Sequence, residues 1–141
     1  MRASILAVAA VMMAGLFGGT SEAGYRGYRH YYSSWRYYPT SSYYYSTYNY
    51  YPTTYSTTYS YHYAVYYPSQ PRYYYYYNPV RRVYWGRYDL QEKGYSLLAE
   101  KDRKEKLTDI PEDAFPKPGP MPVVGGTDDG LKLEVPPAPP K

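Results

Sequence analysis

His30 and His62 are the two imidazoles of the chain, and they are the first place to look for acid–base or metal chemistry. They are separated by more than thirty positions (roughly) and have no nearby carboxylate at the spacing a metal site needs. Asp128-Asp129 beside Gly130 has some calcium-loop character, but one acidic pair in a glycine-rich turn is too few hard ligands. The chain has no cysteine, so it has neither a thiol nucleophile nor a disulfide staple. Every carboxylate after Glu22 lies beyond position 88, so no Ser/His/Asp arrangement can be argued, and no glycine-rich phosphate loop occurs. Asn49 and Asn78 fail the glycosylation rule, the second because proline follows it. The residue chemistry therefore points away from an enzyme and implies no cofactor.

What remains is tyrosine and arginine. The chain holds 26 tyrosines. The densest runs are Tyr43-Tyr44-Tyr45 and Tyr73-Tyr74-Tyr75-Tyr76-Tyr77, followed closely by Arg81, Arg82 and Trp85. Guanidinium groups and aromatic rings attract by cation–π contact at about 0.5–1 kcal/mol when exposed, and many weak contacts add through multivalency. These residues are the candidate interaction surface, for self-association or for adhesion to envelope or matrix components. Closely spaced phenols could also be coupled oxidatively by an outside oxidant, and low-charge tyrosine runs resemble cross-β windows. Basic residues among aromatics suit single-stranded nucleic acid. Seven arginines over residues 24–88 are too sparse for that, and no nucleic-acid partner is expected.

The elements that would have to position these groups look weak. After Gly24, Leu, Ile, Val and Phe make up only about 12% of residues, below the level of about 20% at which disorder becomes expected. A tyrosine core would also carry many hydroxyls, each needing a partner. The composition predicts a mostly disordered, low-complexity chain with no globular core. Charge divides it sharply. From Gly24 to Tyr88 there are seven arginines, no lysine and no carboxylate; from Asp89 onward 11 acids face eight bases.

Residues 24–79 form the Tyr/Arg-rich segment, with imperfect repeats. Gly24-Tyr25-Arg26 recurs at Gly27, Thr53-Thr54-Tyr55-Ser56 recurs at Thr57, and a Tyr-Tyr-Pro unit starts at Tyr37, Tyr50 and Tyr66. Prolines at 39, 52, 68, 71 and 79 exclude long helices and disfavour central strands, so extended chain with transient strands is expected. Residues 80–115 form a short semi-ordered element. It has a strand over Val83-Tyr84-Trp85 ending at Gly86, and a short helix near 97–107 capped by Ser96. Residues 116–141 read as a Pro/Gly-rich flexible tail.

Residues 1–23 have the form of a secretory signal peptide with an N-terminal signal helix. Arg2 precedes an apolar run from Ile5 to Phe17, and Ser21-Glu22-Ala23 supplies the small residues for cleavage between Ala23 and Gly24. That run would span only about 20 Å, short of the roughly 30 Å bilayer core, so no integral membrane span is expected after cleavage. The signal places the chain in a secreted, periplasmic or cell-envelope setting.

The layout also has a family likeness. A signal peptide, a tyrosine-rich tract, then Val83-Tyr84-Trp85-Gly86-Arg87-Tyr88-Asp89-Leu90 with Gly94-Tyr95-Ser96-Leu97-Leu98 and a proline-rich end resembles small exported Tyr-rich proteins of planctomycete-type bacteria. The resemblance implies an envelope or extracellular setting and no particular mechanism. Two functional readings follow. In the first, the chain is a non-catalytic structural or adhesive protein acting through multivalent Tyr/Arg contacts. In the second, it is a periplasmic binding or accessory module whose residues 80–115 fold on a partner, with the tyrosine tract as a spacer.

Overall fold

The computed structural model describes residues 28–141. The expected signal helix and the Ala23/Gly24 cleavage point lie outside these residues. The tyrosine tract that was expected to be disordered instead builds most of a curled, seven-stranded antiparallel sheet. Its strands are β1 (His30–Tyr32), β2 (Arg36–Tyr38), β3 (Tyr43–Tyr50), β4 (Ser60–Tyr66), β5 (Tyr73–Asn78), β6 (Val83–Asp89) and β7 (Gly94–Leu97). From β3 to β7 each strand pairs with the next, a simple meander. β1 and β2 share the outer edge of β3, the first pairing with Tyr48–Tyr50 and the second with Tyr43–Tyr45.

Proline punctuates this sheet. Pro39, Pro52, Pro68 and Pro79 follow the ends of β2, β3, β4 and β5, and Pro71 precedes β5. A residue without an amide N–H is harmless between strands. Each Tyr-Tyr-Pro unit therefore marks one strand terminus, and the uneven repeat intervals reflect connections of different length. Three connections end on a residue in the left-handed region just before the next strand: Ser42 (φ 55°), Arg82 (φ 61°) and Lys93 (φ 57°). That is the geometry of hairpin loops built on a type I turn.

Tyrosines can form central strands because β-propensity rewards aromatic side chains on a pleated surface, and because both faces of this sheet are covered. One face presents Tyr43, Tyr45, Tyr63, Val65, Tyr75, Tyr77 and Tyr84, packed under Leu98 and Ile110. The other presents Tyr48, Tyr50, Ala64, Tyr66, Tyr74, Tyr76, Trp85, Tyr88 and Tyr95, packed under Val124 and Leu133. The sheet is thus enclosed by two stretches of its own C-terminal chain. Residues 98–116 cross the first face. Gly119 then pairs with Tyr95 along the free edge of β7, through two backbone bonds of 2.8 Å. Residues 121–138 return across the second face.

The expectation of no globular core fails because it counted aliphatic residues and treated buried hydroxyls as unpaired. Most of the phenol rings are buried, and several of their hydroxyls find acceptors near the rim or in the covering segments; the buried Tyr95 hydroxyl has no partner among the described residues. Tyr75 donates to Gln70 Oε1 (3.2 Å), Tyr59 to the Tyr28 carbonyl (3.0 Å) and Tyr74 to the Pro137 carbonyl (2.8 Å). Tyr32 and Tyr76 bond each other at 2.7 Å. A proline-rich segment supplies carbonyls without competing N–H groups, which suits it to answering a face full of hydroxyls.

The second half also departs from expectation. β6 continues through Gly86 to Asp89, and Leu97 closes β7 in place of opening a helix. Only three-residue 3-10 turns follow, at Glu100–Asp102, Leu107–Asp109 and Glu112–Ala114. Leu98, Leu107 and Ile110 bury themselves against the sheet, a stronger gain than the few tenths of a kcal/mol (about) that helical i,i+4 pairs would give. Among the described residues, no helix is long and apolar enough to cross a membrane.

Two charged clamps brace the fold, the first between sheet and covering arm and the second within the sheet. The Arg87 guanidinium lies between the Tyr73 and Phe115 rings, 3.8 Å and 4.0 Å from their centroids, and reaches Glu112 through bonds of 3.0 Å and 2.5 Å. Asp89, buried at the end of β6, accepts from Arg72 Nη2 at 2.8 Å and from the Gln91 and Glu92 amides. Burial works to raise the Asp89 pKa, but the Arg72 guanidinium and those amides outweigh it and hold the carboxyl below its ordinary value.

Candidate binding site

The strand ends on the second face leave a cavity of about 560 Å³. Its inner wall is Tyr50 from the end of β3, His62 from β4 and Trp85 from β6. Leu97 closes one side, and Val123 with Gly125 and Gly126 roofs it from the covering hairpin. Arg81, in the β5–β6 connection, and Arg103 stand at its rim. A volume in this range suits a small organic molecule.

Local sequence places each wall residue. β4 alternates through Ser60-Tyr61-His62-Tyr63-Ala64, which puts His62 on the face opposite Tyr61 and Tyr63. At Trp85 the register between β5 and β6 shifts: Tyr77 opposes Tyr84 while Tyr76 opposes Gly86. The extra residue of this bulge is Trp85, and its indole turns toward the second face against His62, Tyr76 and Tyr95. Gly86 is required beside it, since a β-carbon there would fall 2.5 Å from Tyr95 ring atoms and 2.7 Å from the Ser96 carbonyl.

The wall carries unmet hydrogen-bonding capacity. The Tyr50 hydroxyl meets His62 Nε2 at 3.2 Å, while His62 Nδ1 and Trp85 Nε1 are buried with no hydrogen-bond partner among the described residues. Burial drives the His62 pKa down to about 4, so the ring is neutral at pH 7. Trp85 Nε1 is a donor, and His62 Nδ1 is a donor when Tyr50 donates to Nε2 and an acceptor when Nε2 donates to Tyr50. At the rim, Glu100 Oε2 accepts from Arg81 at 3.3 Å and from Arg103 at 3.1 Å, one carboxylate between two guanidinium groups. Arg103 is anchored further by its Nε bond to the Leu98 carbonyl at 3.1 Å. The cavity thus has aromatic walls and a net positive mouth.

The residues expected to form the interaction surface have mostly become core. Tyr43, Tyr45, Tyr75 and Tyr77 are buried on the first face, with Tyr73 half-buried beside Arg87. Tyr74 and Tyr76 are buried on the second face, and Tyr44 is half-buried there. Arg82 is exposed and paired with Glu105 at 2.9 Å. Only Arg81 and Trp85 of that set meet at the cavity. His62, Tyr50 and Arg103 were not among the candidates. The period-2 alternation around His62 was the one available sign of a placed imidazole.

The histidines and the acidic pair have other partners too. His30 Nδ1 bonds the Tyr48 hydroxyl. Asp129 pairs with Arg29 at 2.7 Å, and the Asp128 amide donates to the Pro52 carbonyl at 3.1 Å. The pair therefore ties the covering hairpin to Arg29, just ahead of β1, and to Pro52 in the β3–β4 connection. Among the described residues, no group of three or more His, Cys, Asp or Glu is placed to hold a metal ion. Compared with family models, curated proteins and solved structures, the chain matches none.

Proposed function

We propose that the chain is an exported, non-catalytic binding module that holds a small, acceptor-rich anionic molecule, such as a carboxylate, in the cavity walled by Tyr50, His62 and Trp85. The observation that carries this reading is a half-open cavity with aromatic walls and a cationic mouth, where Arg81 and Arg103 share the single Glu100 carboxylate, and where His62 Nδ1 and Trp85 Nε1 lie unmatched behind the wall. Each unmatched buried group costs about 1–3 kcal/mol, which a small ring rotation toward a bound ligand would offset. The signal-like sequence of residues 1–23, together with the resemblance to small exported Tyr-rich proteins, favours an extracytoplasmic setting.

The expectation of an adhesive, disordered Tyr/Arg surface does not survive the fold, because most of the described tyrosines are inside it. Nor is the tyrosine tract a spacer: residues 80–115 fold on it in cis. The test is a set of small mono- and dicarboxylates titrated into the protein while the two tryptophan indole N–H signals are followed by NMR. Trp85 should shift on binding and Trp35 should not. If no carboxylate moves the Trp85 signal, or neutral analogues move it equally, the anionic-ligand reading fails.

A further inference from the structure

The end of the chain shows how a second site on this face works. Beyond Leu133, the last buried residue, the covering strand continues as Glu134-Val135-Pro136-Pro137-Ala138-Pro139-Pro140-Lys141. Three aromatic donors hold it, all through backbone carbonyls: Tyr32 Oη to Glu134 (2.9 Å), Tyr74 Oη to Pro137 (2.8 Å) and Trp35 Nε1 to Ala138 (2.8 Å). The groove floor is a cluster of rings. Trp35 lies 5.1 Å from Tyr74 and 6.2 Å from Tyr66, and Tyr74 stacks on Tyr88 at 6.4 Å. None of these residues lines the cavity described above.

We propose that this groove is a recognition site for extended, proline-rich segments of other polypeptides, and that the chain's own tail occupies it in cis as a competitor. Three observations support this. The donors read carbonyls, so they recognise an extended backbone more than particular side chains. Proline fixes φ and extends the residue before it, so a proline-rich ligand reaches the groove already ordered. Aromatic-lined grooves that donate to such carbonyls are a recurring mode of peptide recognition.

The tail is also built to leave. Glu134, Val135, Ala138 and Pro139 are exposed, and Leu133 with the Val124–Leu131 backbone bond (2.7 Å) pins the preceding hairpin independently. Release of 134–141 thus opens the groove and bares its Tyr66, Tyr74 and Tyr88 floor for a peptide ligand to cover, while the first face stays closed under residues 98–116. A cis competitor lowers the apparent affinity for a free peptide by the fraction of molecules whose groove is open.

The experiment measures fluorescence anisotropy of a labelled peptide with the sequence of residues 131–141, titrated with the full chain. A second form carries Pro136→Gly, Pro137→Gly and Pro139→Gly to loosen its own tail. The loosened form should bind the peptide at least tenfold more tightly than the parent. Adding Tyr74→Phe or Trp35→Phe in that background should weaken binding at least fivefold while the thermal transition persists. Should either variant fail to fold, the Trp35 indole N–H signal of the loosened form decides: it must shift on peptide addition while Trp85 stays still. Three results would overturn the proposal. They are equal binding of a peptide with alanine at every proline, no gain on loosening the tail, and dimerisation of the loosened form through exchanged tails in place of peptide uptake.

Discussion

Replacing Arg87 tests whether a single guanidinium fastens the 98–116 arm to the sheet. Its side chain is 8% exposed, whereas its partner Glu112 is 74% exposed. Removing Arg87 therefore strands no buried carboxylate, and the loss is a sum of modest terms. The bidentate pair, screened on the Glu112 side, contributes about 1 kcal/mol. The two ring faces at 3.8 Å and 4.0 Å contribute about 1 kcal/mol each in this sheltered position. Arg87→Ala should then cost about 3 kcal/mol. Glu112→Gln, which leaves the stacking intact, should cost about 1 kcal/mol or less. Arg87→Lys should fall between them at about 2 kcal/mol, because an ammonium keeps the charge but neither the fork nor the plane. Urea unfolding followed by near-UV circular dichroism measures all three, with an unchanged m-value showing that the native and unfolded states are otherwise alike. Equal costs for Arg87→Ala and Glu112→Gln would refute the stacking argument, and so would full retention of stability by Arg87→Lys.

Gly86→Ala should destabilise the protein by about 1–3 kcal/mol in the same assay, since the new methyl meets the Tyr95 ring and the rigid Ser96 carbonyl. His62, neutral with a folded pKa near 4 against an ordinary value near 6.5, favours the fold only while it is unprotonated. Stability should fall by about 3 kcal/mol as pH drops from 6.5 to 4. His62→Gln should flatten that slope; the depressed carboxyls Asp89, Glu112 and Asp129 act at lower pH. Burial raises the phenol pKa values of Tyr48, Tyr74 and Tyr76, and takes Tyr31 to about 12. Unfolded phenols ionise near pH 10, so stability should be intact below pH 10 and lost as pH rises above it. Ultraviolet titration should show the buried tyrosines ionising together with alkaline unfolding; non-cooperative titration of all of them near pH 10 would contradict the fold.

Part of this architecture was visible in the sequence. The Tyr-Tyr-Pro units are the strand ends, and the alternation from Tyr59 to Tyr63 is a real strand pattern. Two things hid the rest. Tyrosine counts as polar on most scales, yet Tyr48, Tyr63, Tyr74 and Tyr76 are wholly inside because each ring is apolar and each hydroxyl needs only one nearby acceptor. The other obstacle was distance along the chain. Arg29 meets Asp129 and Trp35 meets Ala138, pairings no local pattern reveals. The cavity depends on the same long-range closure, and on a bulge at Trp85 that one register shift creates. From the site, Arg81 and Trp85 were in the expected surface; His62 and Arg103 acquire meaning only once β4 and the first arm are laid side by side.

The passage of the chain around the edge of β7 has a consequence for biogenesis. Synthesis proceeds from the N-terminus, so all the tyrosine strands emerge before either of their covers. Until Leu133 is made, the second face lacks its lid, and the meander is a bare aromatic sheet with a high risk of sticking to copies of itself. A chain that stops short of Leu133 leaves this aromatic face bare and is the more aggregation-prone version of the molecule. The stretch through Leu133, which reads as part of a flexible tail, is thus what shields the tyrosine sheet from copies of itself.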